Sequence, residues 1–221
     1  MKGNYENRQK FFLTRRTPVI VRLDGKAFHT FTKGLEKPFD MPLHRTMVET
    51  TAFLMKQIQG AKLGYTQSDE ISILVTDYDY LETDAWFNYN VQKMASVSAS
   101  LATGKFNAFS PFDKTAFFDS RVFNIPKEEV MNYFLWRFQD WKRNSIQLLG
   151  QSLFSHKALH KKNQRDIIEM CQEKGHDWNE LPEVWRYGTL VEPTGYDFNI
   201  DLSDKDQREH IEKLCVYTEK E

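Results

Sequence analysis

Cysteine is scarce in this chain: Cys171 and Cys215 are the two among 221 residues, far apart and without metal-ligand spacing. Free thiols in a reducing cytoplasm are the simplest reading. A surplus of either charge is also missing. The 30 Lys and Arg face 31 Asp and Glu, for a formal net charge of −1 and a pI near 6.6. A protein that coats nucleic acid without selectivity would be basic, so that class is disfavoured, although a local basic patch is not. No apolar run is long enough to span a bilayer, and the opening "MKGNYENRQK" lacks the apolar core of a signal peptide. Internal repeats, low-complexity blocks and flexible linkers are missing too, which points to one compact unit with elaborations. What the chain holds in quantity is apolar and aromatic: 40% hydrophobic and 14% aromatic residues, including 17 Phe, beside 28% charged. This composition fits a soluble globular protein whose aromatics mostly fill a core.

Residues 18–24 read as a strand, with Val19, Val21 and Leu23 on one face and Ile20, Arg22 and Asp24 on the other. Asp40 is placed to cap a helix beginning "MPLHRTMVETTAFLMKQI", whose buried face carries Met47, Thr51, Leu54 and Ile58. "LGYTQSDEISILV" reads as two strands around a tight turn at Ser68-Asp69-Glu70. Thr83 reads as the cap of the next helix, with Phe87, Val91, Met94 and Leu101 on one side. Its small-residue stretch "ASVSASLAT" suits close packing on a sheet. "AFFDSRVFNI" is a further strand, stopped by Pro126. A long helix follows from 127 to about 156, with Val130, Phe134, Phe138 and Trp141 at helical intervals. This order predicts an α+β, ferredoxin-like fold: an antiparallel sheet with helices packed on one face. Residues 1–135 are the expected core. Residues 136–221 are a helical and hairpin elaboration containing the basic "HKALHKKNQR", a helix ending at Gly175, "DWNELPEVWRYGTLVEP" and an acidic-basic tail.

In a sheet of this order the end of the first strand lies beside the central hairpin turn, which brings Asp24 next to Asp69. Two carboxylates from separate strands repel unless a cation neutralises them. Oxygen donors on a rigid sheet, with a backbone carbonyl offered at Gly25, suit magnesium. Two such ions would serve an in-line phosphoryl displacement. Lys26, Ala27, Phe28 and His29 then follow as an anion nest for a triphosphate. Each piece alone has a plainer reading: Asp24-Gly25 a turn, Ser68-Asp69-Glu70 a solvated hairpin tip, His29 a structural hydrogen-bonder. Together they favour a metal–nucleotide site. Trp136, Arg137, Trp141, Lys142 and Arg143 mix aromatics and cations on one helix, a pattern usable for RNA and equally consistent with core plus surface.

The stretches "VRLDGKAFHTF", "KPFD", "YTQSDEISILV", "QKMASVSAS", "FFDSRVFNIP", "FLWRFQDWKRNSIQ" and "FSHKAL" resemble, in order, the tRNA(His) guanylyltransferase superfamily of 3′-to-5′ RNA polymerases. The resemblance implies a polymerase palm that grows RNA at its 5′ end. ATP first adenylylates a 5′-monophosphorylated tRNA, and the 3′-hydroxyl of an incoming nucleotide then expels AMP. A 5′-triphosphate end can skip activation. It further implies Asp24, Asp69 and the Gly25 carbonyl as ligands of two Mg2+ ions. Nucleotide contacts would come from Asp24, Gly25, Lys26, Ala27, Phe28, His29, Ser68 and Asp69. Lys37 and Asp40 would join Asp24 and Asp69 as catalytic residues in activation. Lys93 and Arg121, with Lys142, Arg143 and Asn144, would meet RNA or phosphate. The expected substrates are ATP, GTP and tRNA, and the expected assembly is a cytoplasmic homotetramer with no membrane association.

One departure carries weight. Histidine-tRNA guanylyltransferases have a His-Ile-Asn-Asn motif on the long helix, where this chain reads Lys142-Arg143-Asn144-Ser145. That favours the guanylyltransferase-like branch and template-dependent repair of tRNA 5′ ends over non-templated addition of G to tRNA(His). The rivals are a palm-type nucleotide cyclase, which needs the same two aspartates and no RNA, and a catalytically idle RNA-binding module.

Overall fold

The computed structural model describes residues 1–197 and 201–215, so the end of the acidic-basic tail lies outside the described residues. Strand β1 (Val19–Gly25) buries alternate residues on opposite faces and is followed by a single helical turn, α1 (Phe28–Phe31). Helix α2 (Met41–Gln57) opens as its sequence demands: the Asp40 carboxylate accepts from Leu43 N–H, and Pro42 sits in the first turn. The hairpin of β2 (Ala61–Gln67) and β3 (Glu70–Val75) turns at Ser68-Asp69, with Ser68 at φ 49°. Helix α3 (Val91–Phe109) and strand β4 (Phe118–Asn124) complete the ferredoxin-like unit. Helices α4 (Val130–Leu153), α5 (His156–Leu159), α6 (Gln164–Glu173) and α7 (Glu183–Tyr187) follow. After them come β5 (Thr189–Glu192), β6 (Gly195–Asp197) and α8 (Lys205–Lys213).

Among the described residues one antiparallel sheet runs in the order β4-β1-β3-β2-β5-β6. Its first four strands have the ferredoxin-like order, and β5 and β6 extend the far edge. Val19, Val21 and Leu23 face a core shared with Met47 and Leu54 of α2 and Met94 and Phe106 of α3. Close approach of α3 follows from its small side chains: Ser98 Oγ donates to Ser120 Oγ of β4 at 2.8 Å. The palm helices thus occupy one face, as expected. The elaboration covers much of the other, where Ile20, Leu63 and Leu74 pack against Phe134, Phe138 and Ile146 of α4 and Ile167 of α6.

Two boundaries differ from the sequence reading. Thr83 does not cap the third helix; its hydroxyl accepts from Tyr80 N–H, and Asn90 is the cap, accepting from Lys93 N–H. Between them a 3-10 turn, Trp86–Tyr89, holds Phe87, Asn88 and Tyr89 at positive φ, which leaves Phe87 half-exposed instead of on the helix's buried side. The turn persists because the N-terminal segment pins it: Leu13 N–H donates to the Tyr89 carbonyl and Val91 N–H to that of Phe11. The long helix starts later than expected, since Lys127–Glu129 form a separate 3-10 turn after Pro126.

Candidate active site

Register places the carboxylates. Asp24 is the Cα partner of Glu70 on one side and of Asp119 on the other. Gly25 N–H donates to the Asp69 carbonyl at 3.1 Å, tying the end of β1 to the hairpin tip. Asp69 accepts from the Ser68 hydroxyl at 3.0 Å, but burial, reinforced by the negative charge of Asp24, raises its pKa to about 6. The two carboxylates therefore sit close enough to feel each other. Among the described residues no three His, Cys, Asp or Glu side chains converge. The donor set at this tip is two carboxylates and a neighbouring backbone carbonyl. That set fits a hard cation completed by phosphate oxygens, as magnesium usually binds.

Gly25 is required by packing rather than by a turn. A Cβ there would stand 2.2 Å from the Phe28 ring, which folds back under the strand end into a stack with Phe31. The segment after it only partly forms the expected nest. Lys26 N–H is committed to the Phe117 carbonyl at 2.8 Å, so Lys26 contributes its exposed side chain. Ala27, at φ 54°, opens α1, and the amides of Ala27, Phe28 and His29 form its first turn. Phe28 itself is buried, while His29 is exposed.

Glu70, whose role the sequence left open, lines the same cleft and is held there in a buried bridge. Arg137 of α4 donates to it through Nε at 2.6 Å and Nη2 at 2.7 Å, and Arg22 donates through Nη2 at 2.6 Å. Arg137 also reaches Asp140 at 3.1 Å. The residue next to Asp69 therefore clamps the hairpin onto α4. From that helix Arg137, Trp141, Asn144, Leu148 and Gln151 form one stripe lining the cleft beside Asp24, Ser68 and Asp69. Their helical spacing is the signal that could have identified the stripe; Gln151 and Leu148 were missed.

A second cavity, of about 190 Å³, adjoins the first and shares Ser68, Trp141, Leu148 and Gln151 with it. Lys37, Asp40 and Thr32 line it, as do Phe39 and Trp185, whose rings stack 5.0 Å apart at an interplanar angle of 4°. Both Asp40 carboxylate oxygens are occupied, by the amides of Leu43 and Glu36, so this residue shapes the loop while Lys37 stays exposed. Buried His44, hydrogen-bonded to Thr189, has its pKa lowered to about 4 by desolvation. Trp185, which arrives from the elaboration, was not anticipated.

The remaining candidates scatter. Arg121 stands 4.0 Å from Asp24 and 3.5 Å from Asp119. Asn144 lines the cleft; Arg143 pairs with Asp140; Lys142 lies over the Trp178 ring on another side of α4. Lys93 is at the opposite end of the sheet, over Phe87 beside the N-terminal segment, and is not brought to the site.

An antiparallel palm presenting paired carboxylates at the tip of its central strands, with an aromatic-walled pocket beside them, defines a nucleotidyltransferase. The chain belongs to the tRNAHis guanylyltransferase family, whose model matches residues 1–126. It is similar to a bacterial tRNA(His) guanylyltransferase-like protein solved in complex with ATP. The two are 44% identical, with a TM-score of 0.92 and 96% of each chain covered. A structure of such a protein in complex with GTP has 41% identity, a TM-score of 0.82 and the same coverage. Among curated relatives, the tRNA(His) guanylyltransferase of Debaryomyces hansenii is 28% identical over 96% of this chain and 89% of its own. Among the described residues no helix is long and apolar enough to cross a membrane.

Proposed function

We propose that this protein adds nucleotides to the 5′ end of tRNA in the 3′-to-5′ direction, each base dictated by the opposing strand. The observation that carries this reading is the juxtaposition of Asp24 and Asp69 at the palm tip, beside the pocket lined by Lys37. ATP would enter first: the 5′-monophosphate attacks its α-phosphorus, pyrophosphate leaves, and an adenylylated end results. The 3′-hydroxyl of the incoming nucleotide then displaces AMP. Asp24, Asp69 and the Gly25 carbonyl would hold Mg2+, which when bound supplies Lewis-acid activation of the attacking hydroxyl and neutralises the leaving group. The chain's own groups bind and orient. Lys26, Ser68 and the first-turn amides of Ala27, Phe28 and His29 receive phosphate oxygens, and Lys37 neutralises the activated end. Asp40 holds the 36–40 loop in place, and the aromatic cavity accepts a base. Asn144 and Arg121 flank the RNA end, with Arg143 just beyond, and Lys93 and Lys142 are assigned to more distant RNA.

The substitution of Lys142-Arg143-Asn144-Ser145 for His-Ile-Asn-Asn supports templating, as does the greater similarity to guanylyltransferase-like proteins than to the fungal relative. The exposed Phe11, Phe12 and Phe87 at the far end of the sheet support a homotetramer, and a cytoplasmic location belongs to the same reading. We divide the chain by role at 135/136, although α4 runs unbroken through that point. The test is a tRNA lacking its first nucleotide, supplied with Mg2+ and all four nucleotides. Changing the opposing base from C to A should switch incorporation from G to U. G added whatever lies opposite would overturn templating, and growth with Asp24→Ala or Asp69→Ala would overturn the site.

A further inference from the structure

Trp136 is an exposed tryptophan on a buried support. Its side chain projects from α4 with 52% of the residue's surface open, although the helix around it is packed. Arg137 lies over the indole with its guanidinium carbon 4.5 Å from the ring centroid, and Arg22 stands 5.6 Å from it. Both arginines are locked by the same Glu70, and Tyr133 meets the ring edge-on at 5.9 Å. A surface indole normally loses rotamer freedom when it binds; this one is already held.

Its position relative to the carboxylates follows from register. Arg22 is two residues before Asp24 on the same face of β1, about 7 Å away along the strand. Across the ladder Arg22 pairs with Arg121 and Asp24 with Asp119. The side chains of Arg121 and Asp119 remain 57% and 58% exposed on this edge strand. Helix α4 reaches this corner through Tyr133, Trp136 and Arg137. The indole thus lies against Arg22, one strand repeat before Asp24, and the half-open cation opposite Arg22, Arg121, comes within 4.0 Å of the Asp24 carboxylate.

We propose that Trp136 is a stacking platform for a nucleobase at the end of the acceptor stem, holding the RNA terminus over the Asp24–Asp69 pair. The inference rests on the RNA-extending function proposed above. It assigns the RNA terminus to the β1–β4 corner and leaves the nucleoside triphosphate in the aromatic cavity lined by Phe39 and Trp185. Stacking suits this task because every base offers a π face, so the platform positions an end without selecting its sequence.

The experiment uses the full chain and a tRNA lacking its first 5′ nucleotide. Tryptophan emission should be quenched when this RNA binds, and the quenching should shrink markedly in Trp136→Phe. Trp136→Ala should weaken RNA binding roughly five- to a hundredfold, and Trp136→Phe only a few-fold. Binding of ATP or GTP alone should not change. Wild-type protein that binds and extends the RNA while Trp136→Ala retains its affinity would overturn the platform and leave the proposed function standing. Wild-type protein that never extends RNA would instead overturn the function. A change in oligomer size in Trp136→Ala, with RNA affinity per subunit intact, would assign the tryptophan to a contact between copies and also refute the inference.

Discussion

Replacing Glu70 by Gln removes one charge and almost no volume, and should be among the most damaging changes available outside the apolar core. Glu70 and Arg137 have side chains only 7% and 6% exposed, joined by two short parallel hydrogen bonds, while Arg22 takes the second oxygen as well. Neutralising the acid leaves two guanidinium groups facing each other with little water to replace it. Removing one partner of a buried pair costs about 3–5 kcal/mol. For a chain of this size that is roughly a third of a typical stability of about 5–15 kcal/mol, or a Tm lower by about 6–20 °C. Urea unfolding followed by circular dichroism measures it. The second half of the test is a double-mutant cycle. Once Glu70 is Gln, Arg137→Met should cost far less than it does in the native protein, with a coupling of about 2 kcal/mol or more. A loss below about 1 kcal/mol in Glu70→Gln, or additive single changes, would refute the clamp.

Three further outcomes follow from the same geometry. His44 is protonated near pH 6.5 in the unfolded chain but only near 4 in the folded one, so the unfolded state binds the extra proton between these values. Stability should fall by up to about 3 kcal/mol as pH drops through that window, and His44→Gln should flatten the urea-measured slope by about one proton. Asp69 is the opposite case, ionised near 3.8 when unfolded but near 6 when folded, so metal-free stability is lost as pH rises between them. Asp69→Asn should therefore stabilise the metal-free protein by about 1–3 kcal/mol at pH 7.5 while abolishing nucleotide addition; a destabilised variant would count against the carboxylate repulsion. Gly25→Ala should displace the Phe28 ring and cost about 1–3 kcal/mol, read as a lower Tm, because the new methyl overlaps a packed aromatic.

The parts of this protein legible in its sequence are those set by neighbours along the chain. Alternation across Val19–Leu23 gave the two faces of β1, and Asp40 before Met41-Pro42 gave the start of α2, because both signals are local. The third helix was misplaced for an equally local reason. Phe87, Val91 and Met94 recur at helical spacing, and spacing alone does not reveal that Phe87–Tyr89 are held at positive φ by contacts from Leu13 and Phe11. Long-range pairings were invisible. Glu70 meets Arg137 across 67 residues and His44 meets Thr189 across 145, and composition does not say which of the 61 charged side chains find each other. The carboxylate pair was legible despite its sequence separation because ferredoxin-like topology itself brings Asp24 to the hairpin turn.

That topology sets up a conflict which α4 helps to resolve. Placing Asp24 beside a desolvated Asp69 strains the hairpin tip electrostatically, and the tip is held by its next residue, Glu70, clamped to Arg137. The same helix then supplies the cleft wall one to four turns further on, through Trp141, Asn144, Leu148 and Gln151. The brace and the cleft wall thus come from one rigid element. Arg137 and Trp141 are fixed by burial, whereas Lys142, Arg143 and Asn144 carry little of the fold: one lies over Trp178, one pairs at the surface, and one faces the cleft. Sequence in this stretch can therefore change without loosening the hairpin that carries Asp69.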